Sequence, residues 1–445
     1  MNISKCWQKN IANNSTVAVI FKYWIPVLLL VAIGVLVYYP TLGNRLQMGW
    51  DDGWMLLNNY TYRGFTWDNL QTIFKETWYG QYSPVNQLFY TIIYSIFGPN
   101  PMAYHSYSLL LHLSNVCFVF LLVYSILFGA KHTDEKTALV VAFCASLLFC
   151  IHPLQVEAIA WVSASKVLLY SFFTLSALLA HVKFICSGKA KYYILALILF
   201  LFSLGSKEQT VVLPVSMILI DWVMKRNMKT KDIWIEKLPF IMLAVFFGLF
   251  TLSMQSPDLV KAWAGYTFLQ RLVMACYALV EYVVKLVLPV KLLYLYPFPM
   301  PPGGELPLRM LIYPVIILVV GIGLYIYRKN RFLLFGVSFF LVNVALTVHV
   351  APMSRYNIVA DRYIYLPSIG LLFVGVWYIV TYMQTLVKKQ KNRIYAMIVC
   401  YLLYLGIYSY QRTQVWYDNF TLKREMIELI DQRKMYEELQ KIKEK

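Results

Sequence analysis

Long apolar runs of helical length alternate with short polar breaks along almost the whole chain. A span needs about 20 mostly apolar residues as helix, and runs of this kind occur at 24–39, 103–127, 138–151, 161–184, 192–204, 211–224, 238–252, 311–327, 332–350, 365–386 and 394–410. The pattern predicts an all-α polytopic membrane protein with about eleven transmembrane helices. Short alternating strands, the mark of a membrane β-barrel, are not what these runs look like. A further apolar stretch near 268–290 carries Arg271, Glu281 and Lys285. Flanking charges leave both its ends on one side, so it is expected to be a re-entrant or interfacial segment.

The polar breaks set the orientation. Lys and Arg cluster at 183–191, 225–231, 328–331 and 388–393, as they do in cytoplasmic loops under the positive-inside rule. The N-terminus is then inside, the end of the last run outside, and 40–101 a long first external loop with room for interfacial helices. The same bookkeeping puts Asp51/Asp52, His152/Glu157, Lys207/Glu208 and Asp361/Arg362 on the external side. After residue 410 the pattern changes. Leu422, Met426, Leu429, Ile430, Met435, Leu439 and Ile442 recur at near-helical spacing among Lys and Glu. The chain is accordingly read as a transmembrane domain, 1–410, and a short external amphipathic helical tail, 411–445.

Composition sharpens this picture. The 445 residues are 60% hydrophobic and only 14% charged, which a soluble core of this length does not require. The net charge of +18 reports orientation; its placement in loops between spans is not that of a nucleic-acid surface. Seven cysteines are scattered without a CxxC pair and imply neither a disulfide framework nor a zinc site. No small-residue cleavage site follows the first run, which is expected to be a retained anchor.

Against so few charges, Trp50-Asp51-Asp52-Gly53-Trp54 stands out, because carboxylates near a bilayer are expensive. One of the pair can take a proton from an acceptor hydroxyl while the other orients it, or both can hold a divalent cation such as Mg or Mn. The plainer alternative is a solvated turn, for which Asp-Asp-Gly is also suited. His152 and Glu157 flank an outer boundary and can line a site, or can simply serve a helix end. Lys207 with Glu208, and Arg355 and Arg362 with Asp361, place cations at external span ends against the usual bias. They suit phosphate, Arg as a planar fork and Lys as a point charge, unless they pair with neighbours or snorkel to headgroups. Lys166, a few residues into the fourth run, belongs with them. Tyr60, Tyr62, Trp67, Tyr363 and Tyr365 can stack on sugars, although such residues more often form an interfacial belt.

Four of these stretches occur together in one order: Trp50-Asp51-Asp52, His152-Pro153-Leu154-Gln155-Val156-Glu157-Ala158, Lys207-Glu208, and Asp361-Arg362-Tyr363-Ile364-Tyr365-Leu366-Pro367-Ser368. In this the chain resembles the membrane part of the transmembrane and tetratricopeptide repeat O-mannosyltransferases and their bacterial relatives, of the GT-C superfamily. The resemblance implies a GT-C type fold, a polyprenyl-phosphate-linked sugar as donor, and inverting transfer on the non-cytoplasmic face. It also implies a base from the acidic pair, Asp51 ahead of Asp52, and an Arg at the position of Arg362. The chain departs from the family after Val162-Ser163, where Ala164-Ser165-Lys166-Val167 replaces the common Gly-Arg-x-Asp and keeps only a cation. The family's repeat array is expected to be reduced to the tail, which leaves protein, glycan or lipid open as acceptor. A bacterial inner membrane, with the site facing the periplasm or exterior, is the expected location. The competing readings are a transporter or lipid-sugar flippase, which calls for mid-span charges and paired half-helices, and a scaffold docking partners through its tail.

Overall fold

The computed structural model describes residues 16–77, 81–129, 133–254, 265–294, 296, 298–348, 350 and 357–428. Every predicted apolar run is helical, and no strand element occurs among these residues. Helix α1 (Thr16–Tyr38) leads into the first loop, which folds as α2 (Asp51–Met55), α3 (Trp67–Lys75) and α4 (Pro84–Phe97). Then follow α5 (Pro101–Gly129), α6 (Glu135–Ile151), the single turn α7 (Val156–Ala160), α8 (Ser165–Ser187), α9 (Ala190–Leu204), α10 (Leu213–Val223) and α11 (Lys231–Ser253). The remainder comprises α12 (Phe268–Val287), α13 (Ile312–Ile326), α14 (Arg331–Val344), α15 (Ser368–Thr385) and α16 (Lys388–Val415).

Among the described residues, seven helices are individually long and apolar enough to cross a membrane, eight if the bent pair Glu135–Ile151 and Pro153–Ala160 counts as one span. The other predicted spans, such as α9 and α10, are shorter helices. Local chemistry explains several boundaries. Asp134 caps α6 by accepting from Thr137 N at 3.0 Å, and α6 stops where Pro153 has no amide to donate. The chain bends there by 55°. The 268–290 stretch is one continuous helix, α12, opened by a Thr267/Gln270 capping box. Its apolar stripe, Val273, Met274, Ala278, Tyr282 and Leu286, is buried, so no hairpin turn lies within it.

Helices α5 and α8 form the centre, each 61% buried over its most apolar window, whereas α13 is only 6% buried and exposes its apolar face as a lipid-facing helix does. Polar side chains fix the inner contacts. His112 on α5 joins Tyr365 Oη at 2.8 Å and Cys150 O at 3.1 Å, and Asn115 donates to Leu168 O at 3.0 Å. Helices α14 and α15 cross at Gly336 and Gly370, where an added Cβ on Gly370 would come within 2.2 Å of Gly336 O; only small residues allow backbones so close. At the end of the bundle carrying the basic loop after α10, Asp221 meets His181 at 3.0 Å, Arg226 at 3.0 Å and Lys237 at 2.7 Å. This buried network ties α8, α10 and α11 together, and each charge in it has a partner.

Candidate active site at the first loop

The acidic pair opens α2, and its two members face different surroundings. Asp52 is fully buried. Its Oδ2 accepts from Gln47 N at 2.7 Å, and its Oδ1 accepts from Ser163 N at 2.9 Å and from the Ser163 hydroxyl. Burial raises its carboxyl above the usual range despite these donors. Asp51 is half-buried and accepts from Trp54 Nε1 at 3.1 Å. The glycine that follows is needed for space: a Cβ on Gly53 would lie 2.9 Å from Met48 O.

The broken helix α6–α7 supplies the second group. Glu157, nearly inaccessible, accepts from Arg362 N at 2.9 Å and pairs with the Arg362 guanidinium. Arg362 also lies 5.1 Å over the Trp161 ring and 4.9 Å over Tyr363. Burial works against its charge, but Glu157 together with the Tyr363 and Tyr294 hydroxyls holds the guanidinium above its ordinary value. Lys166, in the first turn of α8, donates to Gln81 Oε1 at 2.8 Å. Lys207 is buried with its ammonium 5.7 Å from the Tyr363 ring centre. Glu157, Lys207 and Arg362, from three distant stretches, thus gather around the Trp161 and Tyr363 rings. A shallow cleft lined by Trp54 and Gln81, the partners of Asp51 and Lys166, opens nearby.

Other candidates are committed elsewhere. His152 donates from Nε2 to Leu286 O at 2.9 Å and accepts from Leu154 N at Nδ1, 3.2 Å, so both nitrogens of a neutral ring serve the backbone at the helix break. Asp361 is fully buried; it accepts from Tyr296 Oη at 2.9 Å and from Arg412 Nη2 at 3.2 Å. Burial raises this carboxyl too. Its role is to anchor the turn that presents Arg362. Arg355 lies outside the described residues. Among those residues, no three His, Cys, Asp or Glu side chains stand together as a metal site. With three donors already on Asp52, the acidic pair does not fit a shared Mg or Mn chelate.

Several participants are invisible in the linear sequence. Trp161 stacks on Trp416 at 5.8 Å, and Tyr294 packs edge-on against Trp50 at 4.7 Å, Trp161 at 5.5 Å and Trp416 at 5.3 Å. These rings form a floor between the acidic loop and Arg362. Nothing in the spacing of Gln47, Ser163, Tyr294, Arg412 or Trp416 marks them, because each acts through a contact made only after the spans have packed.

The arrangement offers a half-buried carboxylate on the first loop and, across the aromatic floor, a preoriented guanidinium with an ammonium on the neighbouring Tyr363 ring. That inventory suits proton removal next to a bound phosphate. No family model matches the chain, and no solved structure matches it. Two curated relatives do. Over 213 residues, 46% of this chain and 29% of the relative, it is 25% identical to the Caenorhabditis elegans protein O-mannosyl-transferase F38B6.6. Over 121 residues, 24% of this chain and 13% of the relative, it is 32% identical to the Drosophila melanogaster protein O-mannosyl-transferase Tmtc3. The matched part therefore spans less than a third of either relative's length. These distant similarities, on an all-helical membrane architecture, support a place in a glycosyltransferase-like family.

Proposed function

We propose that the chain is an integral-membrane GT-C type glycosyltransferase. It moves a hexose from a polyprenyl-phosphate donor to an acceptor hydroxyl on the non-cytoplasmic face, the periplasmic side where the host is bacterial, with inversion at the anomeric carbon. The observation that carries this reading is the geometry that sets the acidic loop and Arg362 on one aromatic floor: Trp50 packs on Tyr294, Tyr294 on Trp161, and Arg362 lies over Trp161.

Asp51 takes the proton from the acceptor hydroxyl, the acceptor oxygen attacks the anomeric carbon, and the bond to the donor phosphate breaks. The leaving phosphate departs as an anion, so the step needs no general acid, unlike glycoside hydrolysis with its two carboxylates. Arg362, held by Glu157, and Lys166 with Lys207 stabilise the charge that grows on the phosphate. Asp52 serves the fold of the loop, which separates the roles of two adjacent carboxylates by burial alone. The half-buried Trp50 and Tyr294 rings at the edge of the aromatic floor suit contact with a sugar ring.

Purified protein incubated with radiolabelled polyprenyl-phosphate hexoses, with and without chelator, tests the reading. Label transferred to a hydroxyl acceptor supports it. Uptake of the lipid-linked sugar into vesicles, with no transfer from any donor, replaces it with a transporter.

A further inference from the structure

The loop that carries the acidic pair is held from the far end of the chain. Asn44 Nδ2 donates to Thr413 O at 3.0 Å, Arg45 N to Tyr417 O at 2.8 Å, and Gln47 Nε2 to Trp416 O at 2.8 Å. With its amide oriented to suit its neighbours, Asn419 donates to Gln47 Oε1 at 3.0 Å and accepts from Gly49 N at 2.8 Å and Met48 N at 3.2 Å. Residues 44–49 are therefore bonded to residues 413–419 at nearly every position. Two routes lead from this strap to the site. Gln47 N holds Asp52 Oδ2 at 2.7 Å, and fully buried Trp416 stacks on Trp161, which lies beneath Arg362.

A solvated loop end does not need this. Free 44–49 would find hydrogen bonds in water, and α1 already has its own terminal turn at Tyr39–Gly43. The contacts instead fix the acidic loop against the ring floor that supports Arg362. Such precision matters for rate, since a displacement of about 1 Å costs on the order of 100-fold. We propose that residues 413–419 are a positioning strap for the transfer reaction, setting Asp51 relative to Arg362 through Gln47 and Trp416 without touching substrate. The helix 419–428, started by Asp418 accepting from Thr421 N at 2.8 Å, continues directly from it.

This inference rests on the transferase reading, and the test separates the two. Asn419→Ala removes three bonds from the strap. Hydrogen exchange of the Arg45, Met48 and Gly49 amides should accelerate by roughly 10-fold or more in this variant, while the core of α5 and α8 stays protected. The second arm is a switch within one sample. A Cβ at Gly49 would lie 3.4 Å from Asn419 Cγ, the place a cysteine sulfur at position 419 would take, so Gly49→Cys with Asn419→Cys brings two thiols within bridging reach. Oxidation should restore transfer and reduction should lower it about 10-fold or more at unchanged donor KM, with neither single variant responding. Unchanged amide exchange in Asn419→Ala, or transfer indifferent to the redox state of the double variant, overturns the strap. If the wild type transfers no sugar at all, the transferase reading falls and the exchange result alone decides whether 413–419 orders the loop.

Discussion

Asp52 and Ser163, 111 residues apart, meet through two hydrogen bonds from Ser163 to a single carboxylate oxygen. With the Gln47 amide on the other oxygen, this joins the first loop to the turn that opens α8, and it places Asp52 in the fold of the site. Asp52→Asn presents an amide N–H where a donor already points. The expected loss is about 2 kcal/mol of stability, from one buried donor left unpaired, read as a lower melting temperature in detergent.

The same residue gives a pH dependence with a definite sign. Burial lifts the Asp52 carboxyl above its ordinary 3.8, so the folded state holds this proton more tightly than the unfolded one. The contribution is then complete below the unfolded value and is lost as pH rises through the folded one. The stability advantage of the wild type over Asp52→Asn should be largest near pH 4 and shrink toward neutrality. Melting curves of both proteins across that range check it; an advantage growing with pH would contradict the assignment.

The Glu157–Arg362 pair predicts a different failure. Glu157→Gln leaves a largely buried guanidinium without its counter-charge, a change that costs about 3 kcal/mol or more when a buried pair is broken. Arg362→Lys keeps the charge but loses the planar fork over Trp161. It should raise donor KM by about 10-fold, the loss of one charge-assisted contact, with folding intact by gel filtration.

Gly370 reports on the frame. Its α-carbon faces Gly336 so closely that Gly370→Ala must part α14 and α15, since the built Cβ meets backbone at 2.2 Å. Overpacking of this kind costs about 1–3 kcal/mol, and Gly375→Ala, on the same helix with nothing within 4 Å, is the control that should leave the melting temperature unchanged.

Much of the architecture was legible in the hydrophobic pattern, because lipid allows only helices or closed barrels to span it. The charged stretches were legible for a related reason: an ionisable side chain in so apolar a chain advertises itself. What the pattern could not show was burial. Asp51 and Asp52 are equivalent in sequence, yet one is fully buried with three donors on it and the other stays half-buried, through contacts with Gln47 and Ser163 that no spacing rule encodes. His152 reads as a candidate by type, and the structure spends both of its nitrogens on the helix break. The aromatic floor and the strap escape notice for the same reason as Arg412: each joins residues 51 or more positions apart.

The difference between the two aspartates also yields the central test. Purified wild type and Asp51→Asn, matched for melting temperature, are given radiolabelled mannosyl-phosphoryl polyprenol and a hydroxyl acceptor, and initial transfer rates are compared. Removal of a general base should lower the rate by about 10²–10⁴-fold while donor binding is retained. Transfer by Asp51→Asn at the wild-type rate would contradict the account.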